Sequence, residues 1–175
     1  LHILEIPLPT SLAVGESVFL HKSVAASNFP SETKSLIWFI KLTSTFEHGA
    51  MIPDKYSRYH DDHSPYLQWE EEPKDTKSFV LIFDDPDAPM GTWDHWILIN
   101  IPPNVHNLEE NTQSLPAEVK VGQNSWKKNE YGGPQPPDKI HRYFFKLYAL
   151  DTTLNLDHGA TKQQVEAEMS GHILA

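Results

Sequence analysis

Two aspartates, two histidines and a tyrosine stand in three short segments, each beside an apolar run. The first segment is Asp84-Asp-Pro-Asp-Ala-Pro89, directly after Phe79-Val-Leu-Ile-Phe83. Its prolines hold φ at about −65° and remove two backbone donors, so the turn is stiff. It presents Asp85 and Asp87, two positions apart, on one side of a sheet edge. Asp87 has a second available part, ordering the turn or pairing with Arg142. The second segment is Trp93-Asp-His-Trp96, where period-2 alternation puts His95 on the face of Ile97 and Ile99. The third is Tyr131-Gly-Gly-Pro-Gln-Pro-Pro137, followed by Asp138-Lys-Ile-His-Arg-Tyr143. Its glycines allow close backbone approach, and a stiff loop of aligned N–H groups can cradle an anion. On the strand that follows, His141, Tyr143, Phe145 and Leu147 share one face. A structural reading competes for each segment: a solvated acidic turn, a core histidine with one hydrogen bond, and an aromatic core strand with a polar rim. Taken together the three describe a small polar pocket in an apolar wall, the usual form of a ligand site.

The elements that must carry these residues are strands. Lys77–Asp84 is apolar on both faces, as expected for a strand buried between two layers. Ile37–Thr43, Trp96–Ile101 and Arg142–Leu150 read as three more strands. Residues 44–76 and 102–139 are rich in turn formers and carry little period. One helix is expected over 161–174. There Thr161 and Gln164 form a capping box, and Val165, Met169 and Ile173 form an apolar stripe. Strands separated by long proline-rich loops, with one late helix, predict a mainly β fold of antiparallel sheets with Greek-key connections. Residues 1–42 read as an N-terminal extension and residues 43–175 as the domain. Residues 1–35 are broken by Pro7, Pro9, Ser11 and Gly15, with Val18–Leu20 the one short strand signal.

The composition narrows the partners. Fourteen Lys plus Arg against 24 Asp plus Glu give a net charge of −10. Such a chain repels nucleic acid and anionic membranes at long range, so any bound anion needs a local site. There is no cysteine, which excludes disulfides and thiolate metal sites. Apolar runs such as Leu36–Ile40 fall far short of the ~20 residues that span a bilayer. The first residues show no basic start before a long apolar stretch. A cytoplasmic location is expected, with the periplasm as the alternative.

The motifs resemble those of the phosphatidylethanolamine-binding proteins, also called the Raf kinase inhibitor protein family, in their bacterial and archaeal branch. The resemblance rests on Phe46-Glu-His-Gly, Ile52-Pro-Asp-Lys-Tyr56 and Ser64-Pro-Tyr-Leu-Gln-Trp69. It continues through Asp84-Asp-Pro-Asp-Ala-Pro89, His95-Trp96, Tyr131-Gly-Gly-Pro and His141-Arg-Tyr-Phe-Phe-Lys-Leu-Tyr-Ala-Leu-Asp151. It implies two antiparallel sheets in a Greek-key arrangement, a few short helices, and a pocket for phosphate, phosphoethanolamine or a phospholipid head group. Carried over by motif, the pocket residues are Asp85, His95, His141 and Tyr143. Pro89, Trp93 and the loop residues Gly133, Pro134, Gln135 and Pro137 form its wall. The resemblance also implies a homodimer and inhibition of a protein kinase or protease. The sequence departs from it at Gln135, where relatives carry cysteine, and at Asp138-Lys-Ile140, where they carry Ser-Gly-Thr or similar. An acidic Asp138 is expected to make the pocket mouth less welcoming to anions.

On this reading the chain binds a small anion and does no chemistry on it, without cofactor or metal. His95 and His141, protonated beside carboxylates, are expected to donate to the anion, with Tyr143 and backbone N–H groups as uncharged donors. A phosphate near its second pKa can give its own proton to Asp85. The alternative is a metal-dependent phosphoester hydrolase built on Asp85, Asp87, His95 and His141. No His-Glu-x-x-His, Gly-x-Ser-x-Gly or phosphate-loop motif supports it. A further cluster, His60-Asp-Asp-His63, reads as an exposed loop.

Overall fold

A computed structural model describes the backbone of residues 2–6 and the whole of residues 40–175. The described residues form two antiparallel sheets and one α-helix. In chain order the strands are β1 (His2–Ile6), β2 (Lys41–Ser44), β3 (Leu67–Glu70), β4 (Ser78–Asp85), β5 (Trp93–Ile101), β6 (Asn107–Leu108), β7 (Lys120–Val121) and β8 (Tyr143–Leu150). The helix α1 spans Lys162–Met169. The larger sheet runs β1-β8-β4-β5-β7 and the smaller β2-β3-β6. β4 and β5 are joined directly. The chain then returns through the small sheet and lays β8 on the other side of β4, a Greek-key crossover.

β4 shows why its central run Phe79–Phe83 is apolar at every position. All eight positions are buried, because both faces of the large sheet are covered. Phe79, Leu81 and Phe83 pack with Leu67 and Trp69 of the small sheet. Val80 and Ile82 pack with Ile97 and Ile99 of β5 and with Val165 and Met169 of α1. Buried beneath that helix, the Asp84 carboxylate accepts from Lys146 Nζ at 2.7 Å and Lys162 Nζ at 2.5 Å. Lys162 Nζ also lies 3.3 Å from Asp94 Oδ1, so one ammonium ties the start of α1 to two strands.

The expected capping box is present. The Thr161 hydroxyl accepts from Gln164 N, and the Gln164 side chain accepts from Thr161 N at 2.9 Å. The helix ends before the expected 174, because Gly171 takes φ +84° just beyond it, a left-handed turn that stops helices. Ile173 therefore does not continue the stripe of Val165 and Met169. It bridges to Leu150 and is half exposed. Residues 172–175 instead run beside the end of β8, with hydrogen bonds Leu174 N to Ala149 O and Ala149 N to Ala175 O.

β2 begins at Lys41, within the strand expected over 37–43 and close to the boundary drawn at residue 42. β1 pairs antiparallel with β8 along the open edge of the large sheet, from His2 opposite Leu147 to Ile6 opposite Tyr143. The strand signal at Val18–Leu20 lies outside the described residues. The regions that read as unpatterned loops contain β3, β6 and β7. These are two to four residues long, too short for a period-2 signal.

Candidate functional site

The site forms at one end of the three neighbouring strands β8, β4 and β5. There Asp85 stands opposite Trp93, and Asp84 opposite Phe144, one residue after Tyr143. The β4–β5 register shifts at this point. Phe83 pairs with Trp96, but Asp84 pairs with Asp94, so His95 has no partner and is the extra residue of a β-bulge. Simple alternation assigned His95 to the face of Ile97 and Ile99. Those two side chains point toward α1, and His95 does not follow them. The bulge swings its imidazole onto the opposite face, as bulges beside sites often do. Its ring centroid lies 5.1 Å from Phe83, 5.3 Å from Tyr143 and 5.0 Å from Trp126.

A cavity of about 330 Å³ opens here, within the size range of small-ligand pockets. Asp85, His95, His141 and Tyr143 supply polar groups to its wall, and Pro89, Trp93, Gln135 and Pro137 line the remainder. Three further lining residues escaped the sequence reading: Ala88, Met90 and Trp126. Trp126 lies in the long loop before the glycines, and its aromatic character in an otherwise polar stretch was the available signal. Met90 is almost fully exposed at the rim.

Three candidate ligand residues do not line the cavity. Asp87 faces away and accepts from Arg142 N and Nε at 2.9 Å and Arg142 Nη2 at 2.7 Å. These hydrogen bonds hold its carboxyl well below the usual carboxylate range. Of the two roles open to Asp87, the structure selects the pairing with Arg142. Gly133 approaches protein rather than ligand. A Cβ there would lie 2.0 Å from the Tyr56 carbonyl oxygen, and the Gly133 N–H donates to Asp62 Oδ1 at 2.6 Å. Pro134 turns its carbonyl to the N–H of Arg58 at 3.1 Å. The glycine-proline loop is thus clamped to residues 56–62, which fixes the side chains of Gln135 and Pro137 at the cavity. Asp62, in the His60–His63 segment, serves as that clamp.

Electrostatics divides the two histidines. His95 Nδ1 lies 2.7 Å from Gly132 O, and a carbonyl can only accept, so Nδ1 carries the proton. Desolvation by burial pushes the His95 pKa down to about 4. Near neutral pH this ring is uncharged and Nε2 is a bare acceptor, not the expected donor. His141 is buried as well, and burial alone would lower its pKa. Two carboxylates outweigh that: Nδ1 meets Asp85 Oδ2 at 2.7 Å and Nε2 meets Asp138 Oδ1 at 2.9 Å, and the pKa is raised. Both ring N–H groups then donate within the protein. Asp85 Oδ1 also accepts from Asp87 N at 2.8 Å, so Asp85 organises the turn and the imidazolium together.

The sequence pattern of the family described as phosphatidylethanolamine-binding protein matches residues 42–175. The chain belongs to this family. It is 45% identical over 135 residues to a UPF0098 protein of the archaeon Methanothermobacter thermautotrophicus, covering 75% of this chain and 89% of that one. It is also 45% identical over 136 residues to a UPF0098 protein of Aquifex aeolicus, covering 75% and 80%. Among solved structures it resembles a homologue of the phosphatidylethanolamine-binding proteins from Chlamydia trachomatis. That match has TM-score 0.73 and 42% identity, over 78% of this chain and 91% of that one. It resembles E. coli YbcL, described as a member of the mammalian family, with TM-score 0.73 and 30% identity, over 78% and 92%.

As a phosphatidylethanolamine-binding-protein family member, the chain has a cavity with a distinct donor set. Trp93 Nε1–H is buried without a hydrogen-bond partner, and the buried Tyr143 hydroxyl makes no well-formed hydrogen bond, although the Asp85 carboxylate lies within its reach. Burial raises the Tyr143 pKa, so its proton stays on. His95 Nε2 is likewise without a partner. Among the described residues no group of three or more His, Cys, Asp or Glu is arranged to hold a metal ion. In the Asp85, Asp87, His95 and His141 cluster, Asp87 is paired with Arg142, His95 Nδ1 with Gly132, and His141 with two carboxylates. Among the described residues no helix is long and apolar enough to cross a membrane.

Proposed function

We propose that this chain binds a small anionic group, a phosphate or a phospholipid head group, in the cavity between β5, β8 and the Gly133–Pro137 loop, and performs no chemistry on it. One observation carries the reading: Trp93 Nε1–H is buried in the cavity wall without a protein acceptor, and the buried Tyr143 hydroxyl makes no well-formed hydrogen bond, with only the Asp85 carboxylate within its reach. A buried donor left unsatisfied costs about 1–3 kcal/mol, so a fold retains such groups where something else completes them. Both donors are uncharged, which suits an anion held beside Asp85. Supporting the non-catalytic part, Asp85, Asp87, Asp138 and His141 are committed to one another, to Arg142 or to backbone, which leaves His95 Nε2 as the one ring nitrogen facing the cavity without a partner.

Titration calorimetry with inorganic phosphate and with phosphoethanolamine tests this. Binding is expected in the native protein and is expected to weaken by about ten-fold or more in Tyr143→Phe, the scale of a hydrogen bond to a charged partner. Equal binding by the variant would place the anion elsewhere. A broad phosphatase screen that finds turnover would overturn the non-catalytic part. Inhibition of a protein kinase or protease, and pairing of two copies of the chain, rest on family likeness alone. Inhibition assays with and without phosphoethanolamine test the first, and light scattering at high protein concentration tests the second.

A further inference from the structure

We propose that the cavity selects a phosphate group that still carries a proton, a phosphomonoester monoanion, whose P–OH donates to His95 Nε2 while Tyr143 and Trp93 donate to its other oxygens. The inference rests on the anion-binding reading and names the species bound. Its ground is the chemistry of the wall. His95 is 1% exposed and Tyr143 fully buried, and each leaves one polar atom without a well-formed hydrogen bond. The Gly132 carbonyl fixes the proton on Nδ1, so Nε2 offers a lone pair. A fully ionised phosphate brings four acceptor oxygens and no donor. Against this wall it would satisfy Tyr143 and Trp93 and press a lone pair against Nε2. A singly protonated phosphate satisfies all three groups.

The charges around His95 point the same way. Asp85 closes β4 on one side, Asp84 lies behind it, and neither carboxylate is paired with His95. On the β8 side His141 is spanned by Asp85 and Asp138. That triad holds one positive charge between two negative ones, so the nearest ionised groups sum to a negative charge. A monoanion is repelled less than a dianion. Asp85 is a poorer receiver for the ligand proton than Nε2, because its oxygens already accept from His141 and from Asp87 N.

A phosphodiester has the same single charge but no P–OH, which makes it the informative comparison. Phosphoethanolamine (a monoester) and glycerophosphoethanolamine (a diester) would be titrated into the native chain by calorimetry at pH 5.5 and pH 7.5. His141 titration affects both ligands alike, so the ratio of their affinities isolates the ligand's own proton. With a phosphate pKa of about 6, the monoanion fraction falls roughly 25-fold over this interval, and the monoester-to-diester ratio should fall by about as much. The ³¹P shift of bound phosphoethanolamine at pH 7.5 should be that of the monoanion. In His95→Phe, which removes the acceptor, the ratio should change much less with pH, because only the charge preference of the neighbouring carboxylates remains. Vesicles of phosphatidylcholine containing phosphatidic acid present the same monoester on a lipid, and their capture at pH 5.5 or that of free phosphoethanolamine is the expected result. A ratio that does not move with pH, or a dianion-like ³¹P shift, overturns the inference while leaving the anion site in place. If neither ligand binds at either pH, the anion-binding reading falls and the inference with it.

Discussion

At the scale of single residues, Asp138 stands out. Its carboxylate occupies His141 Nε2, a ring nitrogen in the cavity wall that could otherwise serve an anion. The side chain is half exposed and also accepts from Lys139 N at 3.0 Å, so it leaves without opening the core. Asp138→Ala is expected to tighten phosphate binding by about ten-fold, near 1.4 kcal/mol, by freeing one charge-assisted donor and removing a negative charge. Calorimetry at pH 6 checks it, and unchanged affinity would show that His141 Nε2 does not reach the ligand. The two histidines also set opposite pH limits on stability. Folded His95 has a pKa of about 4 against 6.5 unfolded, so its contribution is complete above 6.5 and lost as pH falls toward 4. Folded His141 has a raised pKa, so its contribution is complete below 6.5 and lost as pH rises through the folded value. Urea unfolding should therefore show a maximum near pH 6.5. Between pH 6.5 and pH 4.5 the native protein should lose about 2–3 kcal/mol more than His95→Phe, at ~1.4 kcal/mol per pKa unit. Equal losses would mean that His95 is protonated in the folded state.

At the scale of elements, the loop before β8 and the helix behind the sheet do different work. The loop carries Gln135 and Pro137 to the cavity, and its position depends on Gly133 fitting against the Tyr56 carbonyl. Gly133→Ala forces the two segments apart and is expected to cost about 1–3 kcal/mol, the usual penalty of overpacking. Thermal unfolding measures that cost, and a melting temperature within a degree or so of the native value would mean the loop shifts freely. The helix touches no part of the cavity. It seals the second core and brings Lys162 to Asp84 and Asp94. Thr161→Ala removes the N-cap acceptor and should cost about 1 kcal/mol of stability without altering phosphate affinity.

For the whole molecule, the relevant facts are its charge and the reach of the family match. A net charge of −10 repels free anions, so the proposed anion binding has to draw on the local site rather than on the field of the protein. The family pattern begins at residue 42, and the Methanothermobacter relative is nearly covered by the matching region. Deleting residues 1–39 removes β1 from the edge of the large sheet, yet the remainder should unfold in one cooperative step with reduced stability. A broad, non-cooperative transition would make β1 integral to the domain.

Much of this was legible in the sequence, for local reasons. The unbroken apolar run of β4 implied two covered faces, the Thr161–Gln164 spacing implied a cap, and alternation along β8 put His141 beside Tyr143. The motifs themselves pointed to the family. What tertiary structure decided depended on contacts between distant segments. Period-2 reasoning put His95 on the wrong face, because a bulge is a mismatch between two strands and neither strand encodes it alone. Gly133 read as a residue for ligand approach, and only the Tyr56 carbonyl, 77 positions earlier, shows that it makes room for the chain itself. The protonation of the two histidines was equally hidden. It follows from what each ring nitrogen meets: a backbone carbonyl at Gly132 for one, and the carboxylates of Asp85 and Asp138 for the other.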